Sequence, residues 1–541
     1  MRFTDERVSS TDPYNSHVRE RERKQTTDDE ADGANCPDSL IVVSNRQPYR
    51  HEYDDEPDSE RTEIAGERSA DDRPMSVDEP TGGLTAGLDP VVQHAQGTWI
   101  AWGDGDADFA VTDDQNCVAV PPKAESYTLR RIDLSEEAVD SYYYGFSNQV
   151  LWPMCHGFTD RIAYQPNQFD WYRRVNERFA SAVGEHARAD STVWVQDYHF
   201  GLAPRLIRDA VPDTVTVAQF WHIPWPTPQT FRACPAGGEL LEGLLGNDLL
   251  AFHVTDYVEN FLDCVGRYLP SAVVDRNRNI IHYDGETTSV VATPMGIDAE
   301  SYDRDARSAG AKRRSSLLEA YDVSPENVVG LGVDRLDYTK GIPARLAALE
   351  RFFETNPEWR GEFTFVQKAT PSRTQIPAYQ RYGDRVRNAV DRINRRFETD
   401  SWRPIVYTED YLESTELCAL YRRADVMVVS PLVDGMNLVA QEYIAASVDG
   451  DGALLLSDRV GANERLGSHA LSIDPTDVDE FADRINEALS MSSQDRQRRM
   501  DVLRQRVFEN DLGSWMNEQF DHMRRLDRKA ALDSRKRRPR L

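Results

Sequence analysis

Two cations stand close together at what reads as the end of a buried strand. In residues 333–341, VDRLDYTKG, Arg335 and Lys340 lie five residues apart after the apolar run NVVGLG. Lysine makes up 7 of the 63 basic residues, so Lys340 is a scarce residue at a chosen place. Arginine offers paired donors to phosphate oxygens, and lysine adds a compact point charge. Fixed at a strand-to-helix turn, the two are suited to clamp a diphosphate, and a nucleotide sugar or something like it becomes the expected ligand. The competing reading is a surface salt-bridge cluster with Asp334 and Asp337.

A second phosphate-type site is expected in residues 430–443, SPLVDGMNLVAQEY. A strand ends at Val429, a turn holds Asp434 and Gly435, and a helix starts near Asn437. Free N–H groups at a helix start attract anions. Glu442, four residues after Leu438, can reach a ribose diol. The competing reading is an ordinary helix capped by Asp434 or Asn437. In the first half, SNR ends the first strand with Arg46, and Gly82 and Gly83 allow close backbone approach to a ligand. WVQDYH places Asp197 at a strand end, and FWHIPWP places His222 at another, stiffened by Pro224 and Pro226. YYYGFSNQVLW carries Tyr143 and Trp152, whose faces can stack on a sugar ring or simply fill the core. Arg373, in KATPSR, is a candidate for an anionic substrate, with an ion pair as the alternative. No HExxH, no DxD between apolar strands, no paired Cys/His, no GxSxG and no P-loop occurs, so neither metal nor cofactor is expected.

These residues need a scaffold. Continuous apolar runs at 40–43, 193–196, 215–220, 328–333, 363–367, 405–407, 426–429 and 453–456 predict strands buried on both faces. Helical spacing follows several of them, at 343–353, 438–446 and 478–489. The alternation predicts an α/β protein of two doubly wound parallel sheets with a cleft between them, each motif lying beyond a strand's carboxyl end. Expected units are a polar N-terminal tail over 1–38, a first domain over 39–293 carrying an acidic insertion at about 51–80, a second over 294–505, a helix over 506–524 crossing back to the first, and a basic tail over 525–541. The net charge of −29 and pI near 4.8 argue against nucleic acid as a partner and fit a surface adapted to high internal salt. Six scattered cysteines with no CxxC, and no apolar signal segment, point to a reducing cytoplasm without disulfides. No run approaches the roughly 18 apolar residues that span a bilayer. Homo-oligomerisation is left open.

Taken together and in this order, SNR, GGL, YxGFSNxxLWP, QDYH, HIPWPTP, DRLDYTKG and DGMNLVAQEY resemble the trehalose-6-phosphate synthases, retaining glucosyltransferases with the GT-B fold. The resemblance runs from about 39 to 523. It implies glucosyl transfer from a nucleoside diphosphate glucose, UDP-glucose above the GDP and ADP forms, to glucose 6-phosphate. It makes Arg46, Tyr143, Trp152, Asp197 and Arg373 the acceptor site. Gly82 and Gly83 would approach the donor, His222 and Asp434 its glucose, and Arg335 and Lys340 its diphosphate. Asn437, Leu438, Val439, Ala440, Gln441 and Glu442 would bind diphosphate and ribose, and Leu412 the base through its backbone. It further implies a front-face reaction in which the leaving phosphate takes the acceptor's proton. The family pattern usually has Glu where Asp334 stands and a more aromatic run where WPMCHGF follows. A glucosylglycerol-phosphate synthase or an inactive sugar-phosphate-binding regulator are the other readings. No appended phosphatase-like domain is expected.

Overall fold

The computed structural model describes residues 36–54, 73–79 and 83–537. Most of the expected N-terminal tail, the middle of the insertion and Gly82 lie outside them. Twelve strands precede residue 293 among the described residues: β1 (Leu40–Ser44), β2 (Arg50–Tyr53), β3 (Met75–Asp78), β4 (Thr98–Trp102), β5 (Cys117–Val120), β6 (Tyr127–Ile132), β7 (Thr192–Gln196), β8 (Thr216–Phe220), β9 (Leu249–Phe252), β10 (Val273–Asp275), β11 (Ile280–Tyr283) and β12 (Glu286–Ala292). Every residue of β1, β7 and β8 is buried, as runs such as LIVVS and TVWVQ require when helices cover both faces.

Ten of these strands form one sheet in the order β10-β11-β12-β9-β8-β7-β1-β4-β6-β5. From β12 to β6 all pairs are parallel, but both ends turn antiparallel. The expected parallel sheet is therefore mixed at its edges. One cause is local: Asp284 and Gly285 both take positive φ, +50° and +85°, which folds β11 straight back onto β12. The acidic insertion is ordered at its two ends. Its ends pair as the hairpin β2–β3, with Arg50 opposite Asp78. That hairpin rests on a fully buried ion pair, Arg131 with Asp108 at 3.1 Å, and Asp108 also accepts the His51 N–H at 2.8 Å.

The second sheet is parallel throughout, built from β13 (Val328–Arg335), β14 (Phe363–Thr370), β15 (Ile405–Thr408), β16 (Val426–Val429), β17 (Ala453–Ser457) and β18 (Leu471–Ile473). Its order is β15-β14-β13-β16-β17-β18, so the chain reverses its winding direction between β13 and β16. The first sheet reverses between β1 and β7. Ligands of such folds bind at these reversals, because the connecting helices diverge there and leave a crevice. The helix Leu512–Arg537 lies on the first sheet. Trp515 packs 5.4 Å from Trp194 and 5.1 Å from Phe220, and its Nε1 donates to Thr293 O at 3.2 Å. None of the six cysteines is in a disulfide. No helix among the described residues is long and apolar enough to cross a membrane.

Candidate active site

Arg335 ends β13 and Lys340 ends the short turn Tyr338–Lys340. Gly341 then takes φ +68°, and a Cβ there would lie 2.1 Å from the Ser430 carbonyl oxygen. That close approach docks the turn after β13 against the turn after β16. The following helix, Ile342–Thr355, opens on Pro343 and buries Ile342, Leu346, Leu349, Phe352 and Phe353. Arg345 lies on this same apolar stripe and is wholly buried. Its Nη1 donates to Asp334 at 2.6 Å and Gln367 at 2.8 Å, and its Nε to Ser430 at 3.0 Å. Arg345 thus ties β13, β14 and β16 together beneath the reversal.

The salt-bridge cluster weighed against the clamp does not form as imagined. Asp334 goes to Arg345 and Asp337 goes to Arg373. Arg335 has no ion pair or hydrogen bond among the described residues, and its guanidinium stands 5.6 Å from the Trp152 ring centroid. Lys340 Nζ instead meets Asp434 Oδ2 at 2.5 Å across the reversal. Asn437, at φ +71°, donates from Nδ2 to the same oxygen at 3.0 Å. Burial pushes the Asp434 carboxyl up, but Lys340, with His156 and Asn437, outweighs it and holds the group below the usual carboxylate range.

Asn437 also caps the helix Leu438–Ala446, its Oδ1 accepting the Ala440 N–H at 3.3 Å. The cap and the anion site, posed as alternatives, therefore share one helix end: the Ala440 amide is taken by the cap, and those of Leu438 and Val439 are left for a ligand. Ala440 is buried, and Gln441 turns away to donate to the Met295 carbonyl at 3.1 Å. Leu438, Glu442 and Leu412 line a cavity of about 910 Å³. Helix Gly83–Ala95 of the first half and the helix that starts at Leu512 contribute other walls. The Glu442 carboxyl, raised by burial, accepts the phenol of Tyr421 at 2.8 Å and that of Tyr302.

Across the cleft the acceptor candidates gather at the first sheet's reversal. Arg46 follows β1 and is exposed. Asp197 follows β7 at φ +74°. Burial lifts its carboxyl to about 6, against the pull of the Tyr198 and His222 amides and of Arg373 and Arg335. Tyr143 lies on the wide-turn helix Val139–Leu151 and stacks on His199, centroids 5.7 Å apart and planes 13° apart. Trp152 is buried with Arg373 over its ring at 4.0 Å. Arg373 Nη2 reaches Tyr198 Oη at 3.3 Å, so an arginine of the second half closes over aromatics of the first. His222 Nε2 lies 3.0 Å from Gln196 Oε1. Burial, then His253, holds this imidazole well below its ordinary pKa, so it is neutral near pH 7.

One residue of the cluster escaped the sequence reading. His156, in the departing stretch WPMCHGF, is buried with Nδ1 2.8 Å from Trp152 O and Nε2 without a partner among the described residues. Burial pulls it down to about 4; Asp337 and Asp434 act upward on it and Lys340 downward, which places it beside the clamp. A polar side chain at helical spacing from buried Trp152 was the available signal. Among the described residues no group of three or more His, Cys, Asp or Glu could hold a metal ion.

Two doubly wound units meeting over a cleft, with cations and a capped helix start on one wall and stacked aromatics on the other, define a GT-B glycosyltransferase. The chain belongs to glycosyltransferase family 20, whose model matches residues 38–525. It is 36% identical over 88% of its length to a bifunctional trehalose-6-phosphate synthase/phosphatase of Thermoproteus tenax, and spans 62% of that protein. It is 37% identical over 89% of its length to a trehalose-6-phosphate synthase of Mycobacterium avium, and spans 94% of it. Among solved structures, the Burkholderia xenovorans trehalose-phosphate synthase in complex with glucose-6-phosphate superposes with TM-score 0.76 at 30% identity, covering 90% of this chain and 100% of that one. An E. coli structure bound with UDP-2-fluoro glucose gives TM-score 0.76 at 31% identity, covering 90% and 99%.

Proposed function

We propose that this chain transfers glucose from a nucleoside diphosphate glucose, UDP-glucose foremost, to the anomeric hydroxyl of glucose 6-phosphate, giving trehalose 6-phosphate with retained configuration. The observation that carries the reading is the meeting of the two sheet reversals: Lys340–Asp434 and the Leu438 helix start face Trp152, Tyr198 and Arg373 in one cleft. Arg335, Lys340 and the amides of Leu438 and Val439 would stabilise the leaving diphosphate electrostatically, in a site where burial strengthens each charge. Glu442 takes the ribose, Leu412 the base, and Gly82 and Gly83 approach the donor. Asp434, neutral His222 and His156 surround the transferred glucose. Arg46, Tyr143, Trp152, Asp197 and Arg373 hold the acceptor and aim its hydroxyl. The domain limits at 293, 505 and 524 belong to this reading, as do a cytoplasmic setting and activity without a metal.

Turnover of a panel of nucleotide glucoses with glucose 6-phosphate in high KCl, read as nucleoside diphosphate release, tests the activity; faster turnover with glycerol 3-phosphate as acceptor overturns it. Arg373→Ala is expected to raise the acceptor KM roughly 10- to 100-fold, the worth of a lost charge-assisted contact, and to move the donor KM little. Equal effects on both remove Arg373 from the acceptor site. Asp197 predicts an acid limb. Ionised, its carboxylate accepts from sugar hydroxyls at both oxygens in charge-assisted hydrogen bonds, and protonation weakens that acceptance, so acceptor kcat/KM should fall as pH drops through about 6. Stability runs the other way, because a raised carboxyl pKa means the buried charge costs stability above pH 6 and protonation relieves it. An acid limb that persists unchanged in Asp197→Asn assigns it to another group.

A further inference from the structure

The diphosphate clamp motif contains a carboxylate that binds no expected ligand yet is wholly buried. Asp337 lies between Arg335 and Lys340 and is 0% exposed. Its two oxygens do separate work. Oδ1 accepts the Thr339 N–H at 3.0 Å, and the Asp337 carbonyl accepts the Lys340 N–H at 3.0 Å. Together these fix the turn Tyr338–Lys340 that carries the lysine. Oδ2 points the other way and accepts Arg373 Nη1 at 3.0 Å and Tyr379 Oη at 3.4 Å. Arg373 Nη1 also donates to Tyr379 Oη at 2.7 Å, which closes a three-membered ring of contacts.

The ring leaves Arg373 in a defined pose. One nitrogen is held by Asp337 and Tyr379, and Nη2 bridges to Tyr198. Nε is buried and has no partner among the described residues. The backbone of Arg373 takes φ +48°, a conformation a non-glycine residue keeps only when its surroundings hold it. A long arginine side chain otherwise loses considerable rotamer freedom on binding an anion. Here that ordering is done before the ligand arrives, and a donor remains for it.

We infer that Asp337 is a positioning residue shared by the two substrate sites, one carboxylate oxygen ordering the donor lysine's turn and the other presenting Arg373 to the acceptor's phosphate. The inference rests on the acceptor role proposed above for Arg373. It explains why a motif read for donor binding carries a buried carboxylate 36 residues from the arginine it serves. Burial acts to raise the Asp337 carboxyl, and Arg373, Arg335 and Lys340 together bring it below its ordinary value, so it stays ionised among its three cations.

The test separates the two oxygens. Asp337→Asn keeps an amide oxygen for the Thr339 N–H and turns an NH₂ toward Arg373. The KM for glucose 6-phosphate should rise roughly tenfold or more, the loss of one charge-assisted hydrogen bond, while the donor KM changes by less than about threefold. Tyr379→Phe removes one leg of the ring and should raise the same KM by roughly three- to fivefold, which keeps the test available if Asp337→Asn folds poorly. In an Arg373→Ala background neither substitution should raise the acceptor KM further, because nothing is left to position. A purely structural ion pair would move donor and acceptor KM together, or lower kcat alone, and either result overturns the inference. If Arg373→Ala leaves the acceptor KM unchanged, the acceptor assignment itself fails, a separate outcome.

Discussion

Lys340→Ala lowers kcat by roughly 10²- to 10³-fold at saturating donor and acceptor, the scale of losing one preorganised charge at a developing anion. The structure adds a second consequence. Lys340 and Asp434 meet at 2.5 Å with side chains 11% and 14% exposed, so removing the lysine strands a buried carboxylate. Breaking a buried pair from one side costs about 3 kcal/mol, more than a surface pair is worth. In the parent the Asp434 carboxyl is depressed by Lys340. It therefore contributes stability above the ordinary carboxylate pKa that is lost as pH falls through the depressed value. In Lys340→Ala the main counterweight to burial is gone, so the deficit is largest near neutral pH and shrinks on acidification. Thermal melts of both proteins across pH check the sign, and steady-state rates check the magnitude. Near-parental kcat would take Lys340 out of the mechanism. Lys340→Arg should not rescue, because a planar guanidinium does not fit where a compact ammonium meets one carboxylate oxygen.

Gly435→Ala is expected to cost about 10²-fold in kcat with the fold intact, the penalty of misplacing reacting groups by about 1 Å. A Cβ on Gly435 would stand 2.3 Å from the His222 carbonyl oxygen and 3.2 Å from the Ile223 Cα. Both are backbone atoms of the first half, whereas Gly435 belongs to the second. No side chain can move aside, so the two halves must separate just where His222 and Asp434 flank the site. Gly435 also packs closely against Gly461, where its carbonyl leaves no room for a side chain. Each sheet has one face with an apolar interior of its own, and a further core cluster runs through both halves, so circular dichroism should stay near the parent's while the melting temperature falls. Parental kcat would show that the cleft does not need this approach.

Much of the fold was legible in local runs. The strand expected at 426–429 and the helix expected at 438–446 recur with the same bounds, and the other expected elements shift by one to three residues at an end, while β4 to β6, β9 to β12 and β18 were not expected. Buried parallel strands announce themselves because both faces demand apolar side chains. The hairpin β2–β3 was missed because RHEY and MSVD carry little apolar signal; it is held by the buried Arg131–Asp108 pair under His51 rather than by its own pattern. At the site, residue type and position after a strand singled out Arg335, Lys340, Asp434 and Arg373. What they bond to was not readable, and three of the four charges found partners the sequence reading had not weighed.

The sequence by itself determined the kind of chemistry. Cations at strand ends, a capped helix start and aromatics with a constrained turn are each set by short stretches of chain, and short stretches are what a sequence displays. The tertiary structure decided the pairing. Lys340 and Asp434 are 94 residues apart, Asp337 and Arg373 are 36 apart, and Arg373 and Tyr198 are 175 apart. Lys340 meets Asp434 because the second sheet reverses between β13 and β16, Asp337 meets Arg373 because β13 and β14 are neighbours, and Arg373 meets Tyr198 because the carboxyl ends of the two sheets face one cleft. Which charge neutralises which depends on that strand order, and strand order is a property of the packed sheets rather than of any segment within them.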